Sequence, residues 1–269
     1  MDLDIKGTRI HVVASEEHGT EKDPPLLFIH GAAGNAAIWD YQAEYFKGKH
    51  RVYRLDLPGH GESSSEGEED IQAYALWARS VIERLFPSGF FALIGHSMGG
   101  AIALELAAGS LRGLECLVLI GTGAKLGVTP IIFTMLRDDP EGFFDAIDRT
   151  AFCEQTSPQA RERLIAVARK CPLPTIAKDF RACDRFDARG SLKNVKVPTL
   201  ILCGEQDILT PVKYSRSLRD GIPDSSLVTI PRAGHMVMSE QPEHLNRALE
   251  VFFSKAEGNK SLTRERDIY

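Results

Sequence analysis

Apolar and polar positions along this chain fall into two alternating regimes. Short runs rich in β-forming residues, at 26–29, 51–55, 90–94, 114–120, 198–203 and 227–230, read as strands, several of them buried on both faces. Between them apolar residues recur at helical spacing, as in Ile71, Tyr74, Ala78, Val81, Ile82 and Leu85. Residues 100–108 read as another helix, with Gly109 placed to stop it. The chain opens on a hairpin pattern: residues 3–5, a Lys6-Gly7 turn, then alternation over 8–13. A polar loop (16–23) follows, and Asn35 is placed to cap a helix carrying Ile38, Trp39 and Phe46. An amphipathic helix starting near Pro242 (Leu245, Ala248, Leu249, Phe252) closes the pattern, and the charged stretch 255–269 reads as a frayed tail. Strands alternating with helices predict an α/β fold, with a mostly parallel central sheet flanked by helices.

The rhythm breaks once. Over about 124–190 no strand pattern occurs, only helical spacings (Phe143, Phe144, Ile147, Ala151; then Leu164, Val167, Ala168, Cys171) punctuated by Pro172 and Pro174. This stretch reads as a helical insertion between βα units, which leaves 1–123 and 191–269 as one core.

Composition narrows the function. With 269 residues, 43% hydrophobic and 26% charged, the chain suits a soluble globular protein of one large domain or of one domain plus a lid. A net charge of −5 leaves no electrostatic footprint for nucleic acid or an anionic membrane. The N-terminal residues lack the apolar core of a signal peptide, and no run approaches transmembrane length. The five cysteines (116, 153, 171, 183, 203) are odd in number and without CxxC, so they read as buried thiols in a reducing compartment. The cytoplasm is the expected location.

Candidate chemistry centres on FFALIGHSMGGA at 90–101. A buried strand, then Gly95-His96-Ser97-Met98-Gly99, then a helix, is the setting in which GxSxG forms a nucleophile elbow. Gly95 and Gly99 remove Cβ atoms where backbone must pass, and Ser97 is thrust out at the strand's C-terminal end. The Met98 N–H then lies at a helix N-terminus, where it can meet a developing oxyanion. Two more candidates sit just past strands, where functional residues of a parallel sheet gather: Asp207 in CGEQD and His235 in PRAGHM. A serine hydroxyl needs a base, imidazole titrates near neutral pH, and a carboxylate on the second ring nitrogen fixes the tautomer.

These motifs, in the order Ser97, Asp207, His235, resemble the α/β-hydrolase superfamily. The resemblance implies an α/β-hydrolase core with 124–190 as an inserted helical cap. The HG turn of His30-Gly31-Ala32-Ala33-Gly34 is similar to the family's oxyanion loop, and the residue after HG, which donates its backbone N–H, is Ala32. DLPGHGES (56–63) resembles a turn that is structural in relatives, so Asp56 and His60 are expected to serve the fold. His30 is expected to order its loop through a hydrogen bond. Glu205 is the rival acid, but the family pattern places the acid at 207.

A serine at the elbow points to acyl transfer, unlike the aspartate of haloalkane dehalogenases and epoxide hydrolases of this fold. The expected activity is hydrolysis of a carboxylic ester through an acyl-enzyme on Ser97, with no cofactor and no metal required. Alternatives on the same three residues are carbon–carbon bond hydrolysis of ring-cleavage products, thioester hydrolysis and cofactor-free perhydrolysis. His96 and HGAAG depart from the Asn and HGxGPG typical of the carbon–carbon hydrolases. A ligand receptor that has kept the fold is the non-enzyme alternative. The substrate is expected to be a small molecule with an apolar acyl group, because the first half of the insertion carries Ile131, Ile132, Phe133, Met135, Leu136, Phe143 and Phe144. Esters from butyrate to octanoate, or aryl esters, should then be preferred to acetate. The second half, 155–190, holds eight Lys or Arg against four Asp or Glu, and reads as a solvated helix face rather than an anion site.

Overall fold

The computed structural model describes residues 1–15, 23–87 and 89–264. The expected hairpin forms from β1 (Asp2–Ile5) and β2 (Thr8–Ala14), with Lys6 and Gly7 at positive φ in the turn. It leads into β3 (Leu26–Ile29), β4 (Val52–Leu55), β5 (Phe91–His96), β6 (Leu114–Ile120), β7 (Thr199–Gly204) and β8 (Ser225–Ile230). The sheet runs β1-β2-β4-β3-β5-β6-β7-β8, antiparallel over the first three strands and parallel from β4 to β8.

Successive residues of a strand face opposite sides, so each central strand feeds two cores. From β3, Leu27 and Ile29 enter one and Leu26 and Phe28 the other; from β6, Leu117 and Leu119 oppose Cys116, Val118 and Ile120. One face is covered by α1 (Asp40–Phe46) and the closing helix α10 (Pro242–Arg264), through Phe46, Leu245, Leu249 and Phe253. The other is covered by α2 (Ile71–Leu85) and α3 (Met98–Ala108). Asn35 caps a 3-10 turn over Ala36–Trp39 that leads into α1, its side chain accepting from the Ala37 N–H.

Four helices stand between β6 and β7: α4 (Ile131–Asp138), α5 (Pro140–Thr150), α6 (Pro158–Lys170) and α7 (Leu173–Arg185). They share a small apolar cluster of Leu136, Phe143, Phe144, Cys171 and Ile176, which also takes in Ala33 from the loop after β3. Beyond β7 come α8 (Val212–Gly221) and the single turn α9 (Val237–Glu240).

Some elements depart from the sequence reading. Strand β5 runs on to His96 because Gly95 and His96 pair with Leu119 and Ile120. Helix α8 was invisible to apolar periodicity, since it buries only Ser215 and Leu218. Helix α10 continues to Arg264, where a frayed tail was expected from residue 255. Most of the 16–23 loop and the end of the tail, 265–269, lie outside the described residues. The cations of 155–190 are not simply solvated. Lys178 pairs with Glu66 at 3.3 Å, Arg181 with Glu69 at 2.8 Å, and Arg163 with Asp40 at 2.5 Å, which ties α6 and α7 to the core. All five cysteines are buried and none forms a disulfide.

Because the two-sided core sits on the central strands, truncation there should be costly. Leu93→Ala on β5, fully buried, should lose about 2–5 kcal/mol of stability, by urea unfolding. Leu76→Ala on α2, where the side chain is 65% exposed, should stay within about 0.5 kcal/mol of wild type in the same assay.

Candidate active site

Ser97 occupies a sharp reversal between β5 and α3, at φ 54° and ψ −117°, a left-handed conformation that a non-glycine residue adopts only under constraint. The constraint is close backbone contact. A Cβ on Gly95 would lie 2.2 Å from the Gly99 carbonyl oxygen, and one on Gly99 would lie 2.4 Å from the carbonyl oxygens of Ile29 and His30. The elbow is held on both sides, the Ser97 N–H donating to Ile120 O at 2.9 Å and the Thr122 hydroxyl to Ser97 O at 2.9 Å.

The loop after β3 passes directly beside the serine, since a Cβ on Gly31 would sit 3.0 Å from Ser97 Cβ. Its peptide geometry is fixed from one end. Gly31 O accepts from His30 Nδ1 at 2.8 Å and from the Gly34 N–H at 3.1 Å. The Leu57 N–H donates to His30 Nε2, which puts the His30 proton on Nδ1. Burial, helped by the charge of nearby His60, holds His30 well below its ordinary pKa and so neutral. With Gly31 O pinned, the Ala32 N–H at the other end of the same trans peptide points the opposite way. Among the described residues neither the Ala32 N–H nor the Met98 N–H makes a hydrogen bond.

Asp207 follows β7 and His235 follows β8, and the fold joins them: His235 Nδ1 lies 2.9 Å from Asp207 Oδ2. Asp207 is buried and also accepts from the N–H groups of Leu209 and Thr210, at 2.9 and 2.8 Å, and from the Thr210 hydroxyl at 2.7 Å. Burial alone would raise its carboxyl, but His235 and these donors outweigh that and hold it well below the usual carboxylate range. The same Thr210 oxygen is 3.2 Å from His235 Nδ1, so it braces both partners. Ser97 Oγ makes no hydrogen bond among the described residues. Such contacts are often long in unliganded enzymes and close on substrate binding.

Three residues steady this arrangement without having been singled out for it by sequence. Thr210 is one. His96, noted only as a departure from relatives, places Nε2 3.0 Å from His235 O, its ring 4.7 Å from that of His235. Burial pushes its pKa down to about 3, with neighbouring His235 adding to the effect, so His96 stays neutral. Glu240 on α9 accepts from the N–H groups of Gly234 and Met236, both at 3.0 Å. Its other oxygen accepts from the Cys153 N–H at 2.8 Å and the Thr156 hydroxyl at 2.5 Å, tying the histidine loop to the segment between α5 and α6.

The bystanders are equally well defined. Asp56 accepts from the Ala36 and Glu62 N–H groups at 2.7 and 2.9 Å, as a turn-forming carboxylate does. Glu205 is exposed. His60, Cys171 and Asp179 bring ligand atoms within 4.8 Å of one another, a donor set a metal ion could use. Their polar atoms already have partners, however: His60 spans Pro58 O and Asp179, and both Asp179 oxygens accept hydrogen bonds.

An apolar cavity of about 80 Å³ opens between the Ala32–Ala33–Gly34 turn, Met236 and the side chains of Phe143, Ile147, Leu164 and Phe180. Neither this cavity nor a larger hollow lined by Lys125, Arg189 and Tyr214 is lined by Ser97, Asp207 or His235; the first is bordered by Ala32 of the loop after β3 and by Met236, the residue after His235. Among the described residues no helix is long and apolar enough to cross a membrane.

A strand–serine–helix elbow, an acid and a histidine beyond two later strands, and a free N–H on each side define a hydrolase of the α/β type. The family model described as "Alpha/beta hydrolase family" matches residues 26–248, and the chain belongs to that family. It is 26% identical over 240 residues to a pimeloyl-[acyl-carrier protein] methyl ester esterase of Nitrosomonas europaea, covering 83% of this chain and 93% of the relative. It is 26% identical over 246 residues to 3-oxoadipate enol-lactonase 2 of Acinetobacter baylyi, covering 88% of this chain and 91% of the relative. A solved thermophilic esterase superposes with a TM-score of 0.83 at 31% identity, over 95% of this chain and 97% of that one. The chain is an enzyme of the hydrolase class.

The four donors gathered by Glu240 make it the hinge pin of the histidine loop. Glu240→Gln keeps one acceptor oxygen, which can still serve Gly234 and Met236. It turns its amide nitrogen toward Thr156, whose hydroxyl can reverse to accept, and toward the Cys153 N–H, which loses its acceptor. This should cost about 1–3 kcal/mol in thermal unfolding. Hydrogen exchange should rise at Cys153 first. Unchanged protection there would show that the link to the histidine loop is held by other contacts.

Proposed function

We propose that this enzyme cleaves carboxylic esters of small acids through an acyl-enzyme on Ser97. The observation that carries the reading is the Asp207–His235 pair at 2.9 Å, set beyond β7 and β8 in the sheet whose β5 delivers Ser97. With Nδ1–H committed to Asp207, Nε2 of His235 is the free base. It takes the Ser97 proton as Oγ attacks the ester carbonyl. The oxyanion settles on the Ala32 and Met98 N–H groups, the second at the N-terminus of α3. Collapse expels the alcohol, which receives the proton from His235. Water, activated by the same nitrogen, then releases the acid and frees the serine. The curated relatives above are named for a methyl ester and an enol-lactone, both of which carry the bond this sequence of steps breaks.

In this reading residues 124–190 are a cap on a core of 1–123 and 191–269. It supplies the apolar wall of the cavity through Phe143, Ile147, Leu164 and Phe180. A volume of about 80 Å³ has room for on the order of five water-sized groups, a short acyl chain rather than a long one.

Ser97→Ala should fold as wild type and lose about 10³-fold or more in kcat on a chromogenic butyrate ester. Asp207→Asn should lower kcat far more than Glu205→Gln or Asp56→Asn; a larger loss with Glu205→Gln would overturn the acid assignment. Across p-nitrophenyl esters, kcat/KM should climb from acetate to butyrate, each buried methylene adding up to about 0.8 kcal/mol, and level off before octanoate. A profile that is flat or falls from acetate upward would mean that the cavity does not hold the acyl group.

A further inference from the structure

Asp179 lies on α7 in the inserted segment, yet its carboxylate is fully buried and reaches three elements of the core. Oδ2 accepts from the Ala33 N–H at 2.9 Å, in the loop after β3, and from His60 Nε2 at 2.8 Å, in the turn after β4. Oδ1 accepts from the Tyr74 hydroxyl at 2.6 Å, on α2. Of these partners Ala33 matters most. It is a non-glycine residue at φ 57°, a left-handed conformation that a side chain adopts rarely and must be held in. Its neighbour Ala32 presents the N–H that the mechanism assigns to the oxyanion.

We infer that Asp179 is the positioning residue of the oxyanion loop, so that the inserted segment completes the active site rather than merely covering it. This rests on the acyl-enzyme reading above. Two anchors fix the turn from opposite ends: Gly31 O is held from within the loop, and Ala33 N is held by a carboxylate from α7. Between them the Ala32 N–H has one direction left.

The charge balance fits the assignment. A lone carboxylate behind an oxyanion hole would oppose the charge that the hole must stabilise. His60 answers it. Burial by itself would strip the imidazole of its proton, but the adjacent Asp179 outweighs burial and keeps His60 well above its ordinary pKa. The other groups facing the pair are Tyr74, held protonated chiefly by burial, the Cys171 thiol, which burial also pushes up, and neutral His30. The site therefore gains a rigid acceptor with no net charge.

The test compares Asp179→Ala, Asp179→Asn and Tyr74→Phe with wild type, using a p-nitrophenyl butyrate substrate and a trifluoromethyl ketone that forms an oxyanion on serine. Asp179→Ala should lower kcat by about 30-fold or more with KM within about threefold, and weaken the ketone by a similar factor. Asp179→Asn, whose carbonyl oxygen can still accept from Ala33, should recover kcat to within about fivefold of wild type. Tyr74→Phe loses an Asp179 partner but not the loop contact; it should lower Tm and leave kcat within about threefold. If Asp179→Ala does not fold, the double variant Asp179→Leu with His60→Leu leaves no unpaired buried charge, and it carries the same expectation. Wild-type kcat in Asp179→Ala, unchanged ketone binding in that variant, or a loss of kcat in Asp179→Asn as large as in Asp179→Ala would overturn the inference. A wild-type enzyme that neither turns over the ester nor binds the ketone would instead overturn the acyl-enzyme reading.

Discussion

A side chain can stand at residue 97 only because none stands at 95 or 99. The reversal from β5 into α3 brings Gly95 against the Gly99 carbonyl, and Gly99 against the ends of β3, at separations no Cβ survives. That crowding holds Ser97 at positive φ and aims it out of the sheet. It also decides what lies next to the serine. With α3 pressed onto β3, the loop leaving β3 must pass beside Ser97, and the two free N–H groups come from those neighbouring segments. The parallel sheet then adds the rest, since β7 and β8 end at the same edge and leave Asp207 and His235 there.

Four histidines sit close to this edge, and their environments divide the work. His30 and His96 stay neutral because burial outweighs every nearby group that would hold a proton, and they act through fixed hydrogen bonds to backbone. His60 is buried against Asp179 and carries charge. Of the four, His235 alone has a carboxylate on one nitrogen and no hydrogen bond on the other among the described residues. In the proposed mechanism His235 gains and loses a proton, and it has no charged histidine in ring contact with it, because its nearest histidine, His96, cannot be protonated near neutral pH.

The strands, the elbow and the pairing-competent positions of Asp207 and His235 beyond two strands were legible in the sequence, because each leaves a local mark. Glycines flank the serine, and apolar runs end just before 207 and 235. What could not be read were contacts made across the fold. Asp179 looks like any helix-borne acid among lysines and arginines, and nothing local says that it turns inward to Ala33, 146 positions earlier. Glu240 and Thr210 are ordinary polar residues until the loops fold around them. Glu66 and Glu69 stand in the chain just before α2, yet they answer cations on α7, 112 positions later in each case. Helix α8 escaped because half-exposed helices carry little apolar signal.

The central claim is that turnover proceeds through an ester on Ser97. Rapid mixing of the enzyme with excess p-nitrophenyl butyrate, sampled both by absorbance and by acid quench for intact mass, tests it most directly. The account predicts a burst of p-nitrophenol of about one equivalent per chain when deacylation is the slower step, or a smaller one when it is not. It also predicts a butyryl adduct that maps to the peptide containing Ser97 and decays at the steady-state rate. Steady turnover with the adduct on another residue, or release of p-nitrophenol that persists unchanged in Ser97→Ala, would contradict it.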